Sequence, residues 1–167
     1  MPQPVQYRGM TLIVPDNDSE WKEYYEHARA HRLVVRTCTA CGLLRYPPMH
    51  ACPWCMELGW AWQEVSGRGT IYSYEIVVHA IQPGFKELAP YPVVLVELDE
   101  QRGAPSPDEA LRIIGNLVKP DLAPEEDKNV AIGKRVRVIF QDLADHMALP
   151  QFTLTDEPPQ GRVWRLA

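Results

Sequence analysis

Through the second half of the chain, apolar and polar residues alternate with a period of two. In the stretch Thr70-Ile-Tyr-Ser-Tyr-Glu-Ile-Val-Val78, Tyr72, Tyr74, Ile76 and Val78 share one face, and Ile71, Ser73, Glu75 and Val77 the other. That spacing predicts a half-buried strand. Lys134-Arg-Val-Arg-Val-Ile-Phe140 alternates in the same way and places Val136, Val138 and Phe140 inward, with Arg135 and Arg137 outward. Further strands are predicted at residues 92–99, 111–118 and 151–155, with the Lys134 strand running to Gln141. The intervening segments 101–107 and 120–127 are rich in turn formers, and residues 123–130 read as a short helix or an acidic loop. Five strands with such connections suit a small Greek-key barrel of the OB type.

The first half follows a different pattern. Residues 1–15 read as an irregular arm in which residues 10–14 form a short strand or docking segment. Trp21, Tyr24, Tyr25 and Ala28 then recur at i, i+3, i+4 and i+7, with Lys22, Glu23, Glu26 and Arg29 between them. This predicts an amphipathic helix with an aromatic face, capped by Asn17 or Ser19. The face packs on its own protein or docks a neighbouring chain. No apolar run is long enough to span a membrane, and the first residues lack the features of a secretory signal. The expected location is the cytoplasm.

Between helix and strands lies the sharpest signal. All four cysteines fall in Cys38-Thr-Ala-Cys41 and Cys52-Pro-Trp-Cys55, with ten residues between the pairs. Each C-x2-C turn can aim two thiolates at one ion, and two turns complete a tetrahedron around zinc. Two disulfides would need an oxidising compartment, which nothing else in the chain implies. A redox pair or an iron–sulfur site is the remaining alternative. His50 stands two residues before Cys52, but four thiolates already fill a zinc shell, so it reads as a surface histidine. A shell closed by four cysteines leaves no position for water or substrate, and the expected metal is a structural Zn²⁺.

Composition supports a folded chain: 167 residues, 46% apolar, with 16 prolines at segment edges that disfavour long helices. The formal net charge is −5, which offers no global attraction to nucleic acid or an anionic membrane. Its distribution is uneven. From His27 to Met56 the chain carries Arg29, Arg32, Arg36 and Arg45 and no acidic residue. A tetrathiolate zinc centre, itself −2, would leave this segment about +2. Those arginines either neutralise the thiolates or bind an anion.

Catalytic signatures are missing. If the four thiols hold metal, no cysteine is left to act as a nucleophile, and there is no G-x-S-x-G elbow, phosphate loop or H-E-x-x-H. Gly67-Arg-Gly69 resembles a phosphate-loop fragment only superficially. Asp142, Asp145 and His146 could form an acid/base set, although carboxylates beside a histidine in one polar loop are more often solvated turn chemistry.

Taken in order, Trp21, Arg32-Leu33, the two knuckles with Arg45-Tyr-Pro-Pro48 between them, Gly67-Arg-Gly-Thr-Ile-Tyr-Ser73, Tyr91-Pro-Val-Val-Leu-Val-Glu-Leu-Asp99, Ile132-Gly-Lys-Arg-Val-Arg-Val138 and Ala148-Leu-Pro-Gln-Phe152 resemble the DUF35 family over about residues 18–154. The resemblance implies a mainly β chain: an N-terminal arm and helix (1–30), a rubredoxin-like zinc ribbon (31–66), a five-stranded OB barrel (67–155) and a tail (156–167). It also implies a non-catalytic accessory subunit of a thiolase-superfamily complex acting on acyl-CoA thioesters, in a hetero-oligomer expected to be a heterotetramer. An enoyl-CoA hydratase-like partner is an alternative, as is a nucleic-acid-binding ribbon and OB module, which the acidic charge disfavours. CoA carries phosphates and a flat adenine. Arg32, Arg36, Arg45 and Arg68, with Tyr46 and Trp54, are the expected CoA contacts. Trp21, Tyr24, Tyr25 and Trp164 are the expected partner-docking residues.

Overall fold

The computed structural model describes residues 4–13 and 19–165. The arm folds as a hairpin, β1 (Val5–Tyr7) against β2 (Met10–Leu12). Tyr7 is buried, and its hydroxyl lies 3.4 Å from Gln141 Oε1, so part of the expected irregular arm is an ordered cover for the barrel. Helix α1 (Ser19–Arg29) follows, so Ser19 opens the helix and the alternative cap Asn17 lies outside the described residues. Tyr24 and Ala28 are buried, while Trp21 and Tyr25 are half-buried. The helix stops where His31 turns into the left-handed region (φ 54). A histidine is tolerated there because its ring stacks on Phe140, with centroids 5.1 Å apart, and its Nε2 lies 2.8 Å from Asp142 Oδ1.

Two antiparallel sheets make up the rest. The first has the order β4-β3-β5 and comprises β3 (Val34–Cys38), β4 (Leu44–Arg45) and β5 (Trp60–Glu64). The second contains β6 (Arg68–Val77), β7 (Tyr91–Leu98), β8 (Arg112–Asn116), β9 (Arg135–Ala144) and β10 (Met147–Leu154), ordered β10-β9-β6-β7-β8. This is OB connectivity. The expected closed barrel is a curved sheet whose ends meet at a single parallel bridge, Leu117 to Phe152, where the Val118 amide donates to the Phe152 carbonyl at 2.8 Å. Residues 123–130 form a loop, with one short 3-10 turn at Asp127–Asn129.

Strict alternation fails in β6 and in β9. In β6 the register slips between Ile71 and Ser73, leaving Tyr72 as a bulge. The extra residue changes the phase, so Ile71 points into the core together with Tyr74 and Ile76, while Tyr72 is exposed. The two faces read from period two are therefore joined across the bulge. In β9 Val136 is buried and Arg137 exposed as expected, but Arg135 is only 3% exposed and not outward. Its guanidinium grips Asp99 through two bonds of 2.7 and 2.5 Å, and also donates to Thr70 Oγ1 at 3.0 Å and Glu157 Oε2 at 3.2 Å. Charge pairing makes that burial tolerable. The same guanidinium holds the Asp99 carboxyl below the usual carboxylate range.

One core runs across the expected boundary at residues 66 and 67. Leu33, just before β3, and Val34, Val35 and Leu44 of the first sheet pack in a single cluster with Ile71, Val94, Val96, Ile113 and Phe152 of the second, and Tyr24 of α1 joins them. A polar clamp adds to it. The Gln101 side-chain amide accepts from the Leu44 amide at 2.7 Å and donates to the Leu44 carbonyl at 2.8 Å and the Glu109 carbonyl at 3.0 Å. A loop of the larger sheet thus supplies β4 with the partner that another strand would give.

Candidate metal centre

The two knuckles are built alike. In the first, the Cys38 amide donates to the Leu43 carbonyl and the Gly42 amide to the Cys38 carbonyl, each at 2.9 Å. In the second, the Cys52 amide donates to the Glu57 carbonyl at 2.8 Å and the Met56 amide to the Cys52 carbonyl at 2.9 Å. Each turn closes on a residue with positive φ, Gly42 (76°) and Met56 (63°). Glycine meets that requirement without strain, and the second knuckle meets it with a methionine.

These turns bring the four Sγ atoms within 4.8 Å of one another, with Cys38 to Cys55 and Cys41 to Cys52 both at 3.6 Å. Zinc–sulfur bonds of ~2.3 Å imply sulfur–sulfur edges of about 3.8 Å, whereas a disulfide would need about 2.05 Å. The donor set therefore fits a tetrahedral thiophilic cation and not two disulfides. By themselves the four sulfurs do not ionise together. The Cys41 amide draws the Cys38 thiol down to about 6 against opposing desolvation. At Cys55 the Glu57 amide pulls the same way, but desolvation and the neighbouring sulfurs push the thiol up to about 12. Cys38 and Cys52 are buried, and Cys41 and Cys55 form the solvent side.

Around this cluster the expected basic residues take different places. Arg36 is 1% exposed: its guanidinium lies 3.6 Å above the Trp60 ring and donates to the Met49 carbonyl at 3.0 Å. Arg45, its register partner across β3 and β4, is 4% exposed and reaches the His50 carbonyl at 3.4 Å. Both arginines thus hold the loop leading into the second knuckle, under the surface where the sequence suggested a patch. Arg32 is exposed beside Glu64 at 3.5 Å, and Arg68 is exposed with Glu157 at 2.5 Å. Trp54 is 53% exposed at the second knuckle, next to exposed Met49, Met56 and Leu58. Tyr46 packs edge-on to Trp21 with centroids 6.0 Å apart and also meets Tyr24, so those rings contribute to the internal core. Trp164 is half exposed, and its backbone bridges Ile132 through bonds of 2.8 and 3.1 Å, which orders the tail.

The polar hairpin between β9 and β10 does not join Asp142 and His146 into an acid/base set, the reading the sequence disfavoured. Asp142 is engaged by His31, and the buried Nε2 of His146 has no hydrogen-bond partner. The Gln101 clamp and the Arg135 network carried no motif in the sequence. A glutamine in a turn-rich segment and an arginine in an alternating strand look solvated until the contacts between elements are known. Among the described residues, no helix is long and apolar enough to cross a membrane.

Known proteins share this arrangement. Residues 26–57 match the family model for the ChsH2 rubredoxin-like zinc ribbon domain, and residues 62–141 match the ChsH2 C-terminal OB-fold domain. A protein of Thermomonospora curvata named probable enoyl-CoA hydratase alpha subunit is 35% identical over 77% of this chain, and the chain spans only 35% of that relative. A DUF35 domain-containing scaffold protein of Methanocaldococcus jannaschii is 33% identical over 68% of this chain and 70% of its own length. Among solved structures, a chain of the Ltp2-ChsH2(DUF35) aldolase superposes with a TM-score of 0.67 at 31% identity, covering 84% of this chain and 98% of that one. A four-sulfur ribbon continuous with an OB sheet, shared with these relatives across nearly the whole of one of them, makes this chain a member of the DUF35 family.

Proposed function

We propose that this chain is a non-catalytic accessory subunit of a thiolase-superfamily complex acting on acyl-CoA thioesters, which stabilises the catalytic subunit and assists CoA-ester binding. The observation that carries the reading is the likeness, over 98% of its length, to a chain of a solved aldolase whose description names two components. The chemistry agrees: every cysteine lies in the sulfur cluster, so none remains to act as an acyl-accepting nucleophile. Cys38, Cys41, Cys52 and Cys55 hold a structural Zn²⁺, whose binding stabilises the ribbon and leaves no open coordination position.

Arg32, Arg68 and Trp54 are exposed and accessible to a CoA ester or a partner. Arg36 and Arg45 act indirectly, by fixing the loop that carries Met49 and His50. Of the docking residues, Trp164 is accessible, whereas Tyr24 is internal.

Pull-down of the tagged chain from its own cells, with partners identified by mass spectrometry and metal by elemental analysis, tests this. The expected product is a hetero-oligomer, expected to be a heterotetramer, with a thiolase-fold protein and one zinc per chain. Stable partners that use no CoA thioester would refute the reading. The name of the Thermomonospora curvata relative favours a second one, in which the partner is an enoyl-CoA hydratase subunit. Recovery of a hydratase-fold partner in the same pull-down separates the two.

A further inference from the structure

A groove bordered by β6, β7 and the C-terminal tail has no role in the reading above. It measures about 190 Å³, and its lining includes Tyr72, Glu97, Arg102, Gly133, Gln160 and Arg162. Gln160 and Arg162 belong to the C-terminal tail, which borders it. The tail is seated by the Trp164 bridge to Ile132 and by the Gln160 amide, which donates to the Gly133 carbonyl at 3.1 Å. Position 133 must be glycine for this: φ is 89°, and a Cβ there would come within 2.8 Å of the Arg162 carbonyl oxygen.

Charge in and under the groove is unbalanced. Five guanidiniums (Arg68, Arg102, Arg112, Arg135 and Arg162) face three carboxylates (Glu97, Asp99 and Glu157), leaving two positive charges over in a chain whose net charge is negative. The carboxylates are closely matched elsewhere. Arg112 holds Glu97 at 3.0 and 3.2 Å, Arg135 holds Asp99 at 2.7 and 2.5 Å, and Arg68 and Arg135 share Glu157. Arg102 reaches Glu97 and Asp99 only at 3.9 and 3.5 Å and also bonds Thr70 Oγ1. Arg162 makes no side-chain hydrogen bond or ion pair among the described residues. The two least-neutralised arginines therefore line one groove.

Tyr72, displaced outward by the bulge, forms part of the same groove and carries the Arg112 guanidinium over its ring at 3.7 Å. We propose that this groove binds a small phosphorylated ligand, with the phosphoryl dianion between Arg102 and Arg162 and the attached organic group against Tyr72. Two guanidiniums in one groove suit a dianion with several acceptor oxygens, whereas a single carboxylate would cancel only one of the charges. At about 190 Å³ the groove takes a phosphoryl group and its first substituent, below the roughly 300 Å³ that encloses a drug-sized molecule.

Calorimetric titration of the full zinc-loaded chain with inorganic phosphate and with phenyl phosphate tests the site, and benzoate serves as the carboxylate comparison. The expected result is saturable binding of both phosphates at one site, weakened about tenfold by Arg162→Ala and by Arg102→Met. Phenyl phosphate should bind more tightly than inorganic phosphate, and Arg137→Ala, at an exposed arginine outside the groove, should leave both unchanged. Because the Arg162 side chain makes no hydrogen bond or ion pair among the described residues, its variant is expected to fold whether or not Arg102→Met does. The proposal is overturned if neither phosphate saturates at millimolar concentration, if Arg137→Ala weakens binding as much as Arg162→Ala, or if benzoate matches phenyl phosphate. The site does not depend on the accessory-subunit reading, and partner recovery in a pull-down is a separate outcome.

Discussion

The knuckle end of the ribbon and the five-stranded sheet solve the same problem by different means. Around the sulfurs the buried apolar cluster is only Cys38, Leu43 and Cys52, while Met49, Trp54, Met56 and Leu58 stay exposed. In the sheet, Ile71, Val94, Val96, Leu98, Leu117 and Phe152 are all fully buried. A segment of this size cannot exclude enough water to order itself, and its four clustered sulfurs suit a cation that would take the place of a core. The sheet needs no such aid. Between them the ribbon's far end, with Val34, Val35 and Leu44 in the main core, is held both ways.

The largest test of this contrast is removal of the metal. Chelation, or Cys52→Ser, is expected to unfold the knuckle end, with a loss on the order of 10 kcal/mol of metal-binding free energy. The check is bound zinc together with emission from Trp54, Trp60 and Trp62, while far-UV dichroism of the larger sheet persists. Loss of both signals together would show that the sheet also depends on the metal. Phe152→Ala is the reciprocal change: a loss of about 3–5 kcal/mol in urea unfolding with zinc retained.

Gln101→Leu tests the link between the two. It leaves the Leu44 amide and carbonyl without their partner and is expected to cost about 2 kcal/mol, seen first as faster hydrogen exchange at Leu44. The smallest effect is the pH dependence of the sheet. The Asp99 carboxyl is lowered in the folded state, so its stabilisation is present above the unfolded value near ~3.9 and is lost as pH falls through the folded value. Urea midpoints should therefore drop between about pH 5 and pH 3 in the native chain, and Asp99→Asn should flatten that fall. An equal slope in both would remove Asp99 from the account.

The sequence made the chemistry of the centre legible because cysteine spacing is local: each C-x2-C turn sets its own geometry, and only the meeting of the two turns is tertiary. Period-two alternation likewise marked β6 and β9, and the other candidate strands overlap β7, β8 and β10, although β10 begins at Met147 and not at 151. What escaped it was set by contacts between distant segments. Tyr72 breaks the period because one extra residue enters β6, and Arg135 is buried because Asp99 and Glu157 come from a loop and the tail. Arg36 and Arg45 looked like a surface patch because burial over an indole and beneath a loop leaves no trace in a run of basic residues. The same limit applies to the aromatic face of α1, which the chain largely covers with its own core.

The Gln101 clamp has a consequence for association. An unpaired strand edge is a template on which another chain can add a strand, and short, metal-held sheets expose such edges whenever they loosen. By filling the hydrogen-bonding positions of Leu44 on β4, a single side-chain amide blocks that edge without adding a strand. Protection of the ribbon against edge-to-edge aggregation is thus assigned to a loop of the other sheet, and a chain whose two sheets had come apart would lose its solubility at the ribbon.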